Sequence, residues 1–263
     1  MNVLFIGDIV GPAATHYVVE HLPGWRARHN VDLVVVNGEN CDVTAPTPWQ
    51  GFGMTVETVE RLLAHGVDVI TSGNHGWDGP DSATVHQHPR VLRPYNMPVG
   101  TTGKGVASLE VAGGVVTVLN LMGSTADPAA LPVYAAWQAV EKPGTVLVDF
   151  HSDAAWEKMI FATAIDGEAA AVLGTHTHEP TIPLYILPGG TAYVTDVGMT
   201  APTGSPGGFP LTHFATKYRG DAFDSLPPFT LSTGPIVLGA VQLQIQAGKT
   251  EAIRRIHSLE PEG

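Results

Sequence analysis

Residues 170–178 read A-A-V-L-G-T-H-T-H, and this stretch decides how the rest of the chain is interpreted. An apolar run ends at Gly174, and two histidines, His176 and His178, follow at once with one threonine between them. In an extended backbone, residues i and i+2 lie on the same face, so the two imidazoles can converge. The stretch therefore predicts a buried strand that delivers two metal ligands at its carboxyl end.

Other short apolar runs have the length and the β-branched content of buried strands. They lie at residues 3–6, 33–36, 67–70, 115–120, 145–150 and 192–196. Helix-like stretches alternate with several of them, at residues 13–22, 54–65 and 153–165. Alternation of this kind predicts an α/β fold with a mostly parallel, buried sheet.

The later part of the chain has a different pattern. Residues 181–196 and 235–246 read as strands without helices between them, which predicts a second, more antiparallel sheet packed on the first. The run I-V-L-G-A-V-Q-L-Q-I-Q at 236–246 is either an interior strand or an edge strand at a dimer interface. The sequence is therefore compatible with a homo-oligomer and does not decide the oligomeric state. Because neither an internal repeat nor a linker-like change of composition occurs, we expect one domain spanning residues 1–263.

The composition excludes several classes of protein. Hydrophobic residues make up 44% of the chain and charged residues 14%, which excludes disorder. The formal net charge of -12 argues against stable DNA binding and against anionic membranes. Cys41 is the only cysteine, which fits a reducing compartment, and we expect it to be a small buried residue. No apolar run reaches the roughly 20 residues of a membrane span, so we expect a cytoplasmic protein.

Metal-ligating side chains follow five of the predicted strands. They are Asp8, Glu39 with Asn40, Asn74, His151, and His176 with His178. Any one of them has an ordinary structural explanation, such as a helix cap or a turn. Together they indicate a coordination shell, because strand carboxyl ends converge on one crevice in an α/β sheet. Seven ligands exceed the four of one closed site, so we expect two ions with Glu39 as the bridging carboxylate.

The order of these motifs resembles that of a known family. G-D-x-x-G, G-E-N, G-N-H, a lone histidine and G-T-H-T-H are similar to the motif set of the calcineurin-like metallophosphoesterases, and within them to the bacterial YmdB-type phosphodiesterases. The segment T-D-V-G-M-T at 195–200 is similar as well. The resemblance implies a four-layer α/β/β/α sandwich with a dinuclear metal site at the strand carboxyl ends. It also implies hydrolysis of cyclic nucleotides, with 2′,3′-cyclic nucleotides favoured over 3′,5′-cAMP.

The chain departs from the resemblance at several positions. Val10 stands where the wider superfamily has a histidine ligand, and Glu39 stands where an aspartate commonly bridges. The YmdB type shares both departures, and there the residue corresponding to Asn40 is implied as the substitute ligand. The loops at 42–50 and 201–213 differ from the YmdB type itself, so the substrate is the least determined part of the resemblance.

We expect Asp8, Glu39, Asn40 and His178 to hold one ion, and Glu39, Asn74, His151 and His176 to hold the other. Three imidazoles among seven ligands argue against a purely Mg²⁺ or Ca²⁺ site and suit iron, manganese or zinc. The resemblance favours iron, or manganese in its place.

Several residues outside the shell have expected roles. His75 is the expected catalytic residue, either as general acid for the leaving oxygen or as a charged donor to the phosphate. Asp78 either orients His75 or serves as a salt bridge or helix cap. His213 is a candidate substrate contact, and His86 and His88 are expected to be exposed to solvent.

Two other functions use the same residues. A phosphomonoesterase or 5′-nucleotidase could use the same metal shell. A regulatory protein could bind a nucleotide at such a site without hydrolysing it, although every proposed ligand and His75 are present.

Overall fold

The computed structural model describes residues 1–43, 51–204, 206–221 and 229–256. Along these residues the strands are β1 (Asn2–Ile6), β2 (Leu33–Asn37), β3 (Val69–Thr71), β4 (Val91–Leu92), β5 (Val106–Val111), β6 (Gly114–Met122), β7 (Thr145–His151), β8 (Ala171–Thr175), β9 (Tyr185–Ile186), β10 (Ala192–Val194), β11 (Ala201–Pro202), β12 (Ile236–Val237), β13 (Ala240–Gln246) and β14 (Lys249–Ile256). The helices are α1 (Gly11–Arg28), α2 (Val56–Ala64), α3 (Ser82–Val85), α4 (Val133–Ala139), α5 (Ala155–Ala164) and α6 (Thr212–Arg219).

Two six-stranded sheets form the centre of the fold. In the first sheet the order is β14-β13-β1-β2-β3-β4, with β1 to β4 parallel and the two C-terminal strands antiparallel. In the second the order is β5-β6-β7-β8-β10-β9, and the four strands from β6 to β10 are parallel. A short pair, β11 and β12, lies outside both sheets.

Three apolar clusters hold the layers together. Between the sheets, side chains such as Phe5 and Val35 pack with Leu147 and Leu173. The opposite face of the first sheet is covered by α1 and α2, and that of the second sheet by α4 and α5. The layer order is therefore α/β/β/α, as the resemblance implied.

The expected antiparallel second sheet is wrong. β10 pairs in parallel with β8, and β13 lies inside the first sheet, between β1 and the edge strand β14. The alternation V-Q-L-Q-I-Q places Val241, Leu243 and Ile245 in the core between the sheets. Alternation shows that one face of a strand is buried, but it carries no information about which strand lies beside it.

The ends of α2 and α5 lie within two residues of the predicted ones, whereas α1 begins two residues before and ends six residues after the predicted stretch 13–22. Thr55 is the N-cap of α2, and its hydroxyl accepts a hydrogen bond from the Thr58 amide at 3.2 Å. α5 begins two residues later than the predicted stretch, at Ala155, although the Ser152 hydroxyl accepts from the Ala154 amide. Among the described residues, no helix has the length and apolarity needed to cross a membrane.

Candidate metal centre

The seven predicted ligands lie together where the carboxyl ends of the two sheets meet. Asp8 follows β1, Glu39 and Asn40 follow β2, and Asn74 follows β3, all in the first sheet. His151 ends β7, and the two histidines of G-T-H-T-H follow β8, both in the second sheet. The site therefore depends on both sheets, which face each other across the apolar core.

One group of predicted ligands consists of Asp8, Glu39 and His178. All three side chains are buried, and their ligand atoms lie within 4.8 Å of one another. His178 Nδ1 donates to the Gly207 carbonyl at 3.0 Å, which leaves Nε2 with a lone pair. Asn40 Nδ2 lies 3.3 Å from that Nε2 and 3.0 Å from Glu39 Oε1. Ligation through the Asn40 oxygen therefore requires its amide to rotate.

A second group consists of Glu39, His151 and His176, whose ligand atoms also lie within 4.8 Å of one another. The oxygen of Asn74 completes it, 3.0 Å from His151 Nε2. His176 Nε2 is 3.2 Å from Asp153 Oδ1, on the side chain of an exposed residue. Glu39 belongs to both groups, which is the arrangement expected of a bridging carboxylate.

Three features of the site fit metal ions. Asp8 Oδ1 is buried without a hydrogen-bond partner among the described residues. Gly73 leaves a gap in the second group, because a Cβ there would lie 2.2 Å from His151 Nε2 and 2.3 Å from Glu39 Oε2. The donors are carboxylates, amides and imidazoles, the set that iron, manganese and zinc accept.

The tautomer of His151 is set by a residue pair that sequence reasoning missed. The Thr175 hydroxyl donates to Asp149 Oδ1 at 2.7 Å, so it must accept at 2.9 Å from His151 Nδ1. In the neutral ring, the Nε2 lone pair then points at Glu39 Oε2 and Asn74 Oδ1, 3.2 and 3.0 Å away. These three atoms repel one another because each presents a lone pair. A cation bound between them would remove this repulsion and be coordinated by all three. The sequence does contain a sign of this pair, because Asp149 in V-D-F-H is a charged residue within an otherwise apolar strand.

Burial and neighbouring charges shift the pKa values of the ionisable groups at the site. Burial lowers the pKa of His151, but the adjoining Glu39 carboxylate outweighs this effect and raises that pKa to about 9. Burial and the positive charge of His151 lower the pKa of His176 to about 4. Burial raises the pKa of Asp8. The buried carboxylates thus favour a cation nearby, either a proton on His151 or a metal ion.

The loop that carries His176 and His178 has a strained backbone held by a buried ion pair. Both histidines have positive φ angles, 95° and 65°, a region that residues other than glycine rarely adopt. Lys158 Nζ donates to the Thr175 carbonyl at 2.7 Å and to Asp196 Oδ2 at 3.3 Å. The same Asp196 oxygen accepts from the Thr177 amide and hydroxyl. Sequence reasoning missed this pair, since a lysine inside a helix gives no signal that it is buried.

His75 lies at the mouth of the site. Its Nδ1 is 2.7 Å from Asp78 Oδ2, so Asp78 orients the ring, and its backbone amide donates to Glu39 Oε2 at 3.2 Å. Burial lowers the pKa of His75, but the hydrogen bond to Asp78 and the charge of Glu39 outweigh it, and the net shift is upward. The His75 ring therefore binds a proton more readily than an ordinary histidine, and Asp78 occupies Nδ1 and leaves Nε2 to contact a bound ligand.

The structure differs from the expectations for three other histidines. The expectation that His86 is exposed is wrong: it is 1% exposed, and its Nε2 donates to the Gly76 carbonyl at 2.9 Å. His88 is half-buried rather than exposed. His213 is buried against Phe229, with ring centroids 5.5 Å apart, and does not line the pocket at the site. Polarity in a loop thus does not reveal which face packs inward.

The divergent loops are described only in part. Residues 44–50 and 205 lie outside the described residues, so the predictions made for the 42–50 loop and part of the 201–213 loop are not addressed by the structure. Cys41 is fully buried, as expected.

Comparisons with known proteins agree with this architecture. Residues 4–256 match the family described as YmdB-like protein. The chain is 35% identical over 265 residues to the 2′,3′-cyclic-nucleotide 2′-phosphodiesterase of Bacillus subtilis (strain 168), covering 97% of this chain and 96% of the relative.

Two crystal structures superpose on it with a TM-score of 0.84. One is a hypothetical protein from Thermus thermophilus, 36% identical, with 96% of this chain and 97% of that chain covered. The other is a novel phosphatase from Mycoplasma pneumoniae, 27% identical, with 98% and 92% covered. The chain belongs to the YmdB-like family of metallophosphoesterases and is an enzyme of the phosphoric ester hydrolase class.

Proposed function

We propose that this enzyme is a dinuclear metal-dependent phosphodiesterase that acts on cyclic nucleotides, with 2′,3′-cyclic nucleotides favoured over 3′,5′-cAMP. The observation that carries the dinuclear part is the pair of ligand groups that share Glu39. The substrate class follows from the name of the relative in Bacillus subtilis, which is similar over nearly its whole length. Since strands from both ends of the chain pair as β1 and β13, we also propose that residues 1–263 act as one domain.

The proposed ligand sets follow the two groups. Asp8, Glu39, Asn40 and His178 would hold one ion, and Glu39, Asn74, His151 and His176 would hold the other. We propose iron or manganese in these positions, with zinc as the third choice, because imidazole and oxygen donors are mixed. When bound, the metal pair supplies a water of lowered pKa as nucleophile and neutralises charge on the phosphate oxygens.

His75 is proposed to protonate the leaving ribose oxygen. Asp78 holds Nδ1, so the proton that is transferred sits on Nε2. The raised pKa keeps a larger share of the ring protonated near neutral pH than an unperturbed histidine would have. Asp78 positions the ring and, with Glu39, stabilises its charged form.

Metal content tests the first part of the proposal. We expect about two transition-metal ions per chain in the wild type, the stoichiometry of a two-metal site. His176→Ala should lose one of them, since His176 is assigned to one ion alone. His65→Ala, which changes an exposed histidine outside the site, is the matched control. A wild type that takes up no transition metal after anaerobic reconstitution would contradict the proposal.

Leaving-group dependence tests the role of His75. We expect His75→Gln to lose roughly 10²- to 10⁴-fold in turnover of adenosine 2′,3′-cyclic phosphate, the usual contribution of a general acid. Bis(p-nitrophenyl) phosphate should lose much less, because p-nitrophenolate leaves without a proton. Equal losses on both substrates would instead assign His75 to phosphate binding.

A phosphomonoesterase is the second candidate, because the similar structure from Mycoplasma pneumoniae is called a phosphatase. Turnover of adenosine 2′,3′-cyclic phosphate and of adenosine 3′-monophosphate, measured side by side, separates the two activities. We expect the diester to be preferred. A marked preference for the monoester would contradict the phosphodiesterase proposal. Tight binding of the cyclic nucleotide without hydrolysis by metal-loaded protein would indicate a regulatory binder.

A further inference from the structure

The pocket above the metal centre has two chemically different sides. One side consists of metal-centre residues, among them Glu39, His75 and His178, and the other of phenylalanine rings. The cavity measures about 190 Å³. A molecule that fills both sides must therefore join an anionic group to an apolar one.

The apolar side is formed by the buried Phe52 and by the more exposed pair Phe209 and Phe214. The rings of this pair are nearly parallel, with an interplanar angle of 25° and centroids 5.6 Å apart. Both are half-buried and line the pocket, so part of each ring faces the cavity. We call Phe209 and Phe214 the aromatic wall.

Buried rings hold the aromatic wall in place. Phe52 and Phe229 are 2% and 5% exposed, and their ring centroids lie 5.7 and 5.8 Å from that of Phe209. Phe209 also contacts the His178 ring edge-on at 5.6 Å. The wall thus begins directly beside a proposed metal ligand, and buried rings support it.

A nucleobase is the flat apolar group that this geometry suits. Bases stack on aromatic side chains, and such stacking tolerates any base because each has a π-face. In a nucleotide, the ribose joins the base to the phosphate across only a few bonds, which matches a wall adjoining the metal centre. An aliphatic diester would fill the same space without the stacking contribution.

We propose that Phe209 and Phe214 are specificity-determining residues that stack the base of a cyclic mononucleotide while the metal centre binds its phosphate. This inference rests on the phosphodiesterase activity proposed above and extends it from the reaction to the choice of substrate. Phenyl rings offer no hydrogen-bonding atoms, so the wall favours nucleotides over base-free diesters and contributes little to the choice among the four bases.

The test compares a nucleotide with its base-free counterpart. kcat/KM is measured for adenosine 2′,3′-cyclic phosphate and for methyl riboside 2′,3′-cyclic phosphate, which has the same reacting group and no base. The proteins are the metal-loaded wild type, Phe209→Leu and Phe214→Leu, which keep apolar volume but remove the rings. Tyr218→Leu is the control, because Tyr218 lies on the same helix as Phe214 and is 93% exposed.

We expect the wild type to prefer the nucleotide roughly 5- to 150-fold, the range of one base stacked on aromatic side chains. Either wall variant should reduce this ratio several-fold, and Tyr218→Leu should leave it unchanged. A wild-type ratio near one, or a ratio that neither wall variant changes, would overturn the inference while leaving the phosphodiesterase proposal intact.

If the wild type hydrolyses neither substrate, the phosphodiesterase proposal fails instead. The wall is then tested by calorimetric binding of adenosine 3′-monophosphate. Weaker binding in a folded wall variant than in Tyr218→Leu supports the aromatic wall, and equal binding rejects it.

Discussion

Replacing Lys158 by methionine is expected to destabilise the protein severely. The ammonium group of Lys158 is fully buried and is bonded to Asp196 Oδ2 and to the Thr175 carbonyl. Methionine fills similar volume but leaves the Asp196 carboxylate buried without its countercharge. Removing one partner of a buried ion pair typically costs about 3–5 kcal/mol, so the free energy of unfolding should fall by that amount.

Urea unfolding of the metal-free protein measures this loss, because metal stabilisation is then excluded. The matched control is Lys104→Met, which changes an exposed lysine and should alter stability by less than about 0.5 kcal/mol. In the double variant with Asp196→Asn, both charges disappear. Its loss should therefore be smaller than the sum of the single losses by about 0.5–3 kcal/mol.

The ion pair also bears on the metal centre. It fixes Thr175 and Thr177, which flank the strained His176. Folded Lys158→Met protein should therefore bind metal more weakly than the wild type. If the free energy of unfolding of Lys158→Met lies within about 1 kcal/mol of the wild-type value, the buried pair is not essential to stability, because a typical single substitution costs that much. Unchanged metal affinity would separately reject its role in holding the loop.

Three further predictions concern the metal centre and its surroundings. Gly73→Ala should reduce the metal content measured by elemental analysis, because the new Cβ would lie 2.2 Å from His151 Nε2, whereas Gly24→Ala has no atom within 4 Å and should retain it. Equal metal content in the two variants would contradict the proposed gap. Burial raises the pKa of the Cys41 thiol, so we expect labelling by a disulfide reagent at neutral pH only after unfolding, and fast labelling of the native protein would disprove this. Mn²⁺ at 100 times its Kd should stabilise the fold by about 2.7 kcal/mol and raise the thermal midpoint, whereas an unchanged midpoint would argue against binding to the native state.

The sequence was sufficient to predict which residues gather at the site. Asp8, Asn74 and His151 each follow an apolar run, and parallel strands deliver their carboxyl ends to one edge whatever their order. The prediction of these positions therefore did not depend on knowing the neighbours of each strand. The prediction of strand pairing, in contrast, failed for β13, because the alternation identified the buried face of the strand and not its partner.

Other features required the tertiary structure because distant segments create them. Lys158 and Asp196 are separated by 38 residues, and a helical lysine becomes buried only when α5 packs on the second sheet. His86 lies in a polar stretch, yet it turns inward to the Gly76 carbonyl. Local composition cannot reveal either contact.

The sequence by itself therefore determined the α/β class and the convergence of the proposed ligands at strand ends, because these follow from local periodicity and strand direction. Only the tertiary structure decided which proposed ligands group around Glu39, how Asp149 sets the tautomer of His151 through Thr175, and where the aromatic wall lies. These depend on distances between side chains far apart in the chain, and such distances exist only after the two sheets pack against each other.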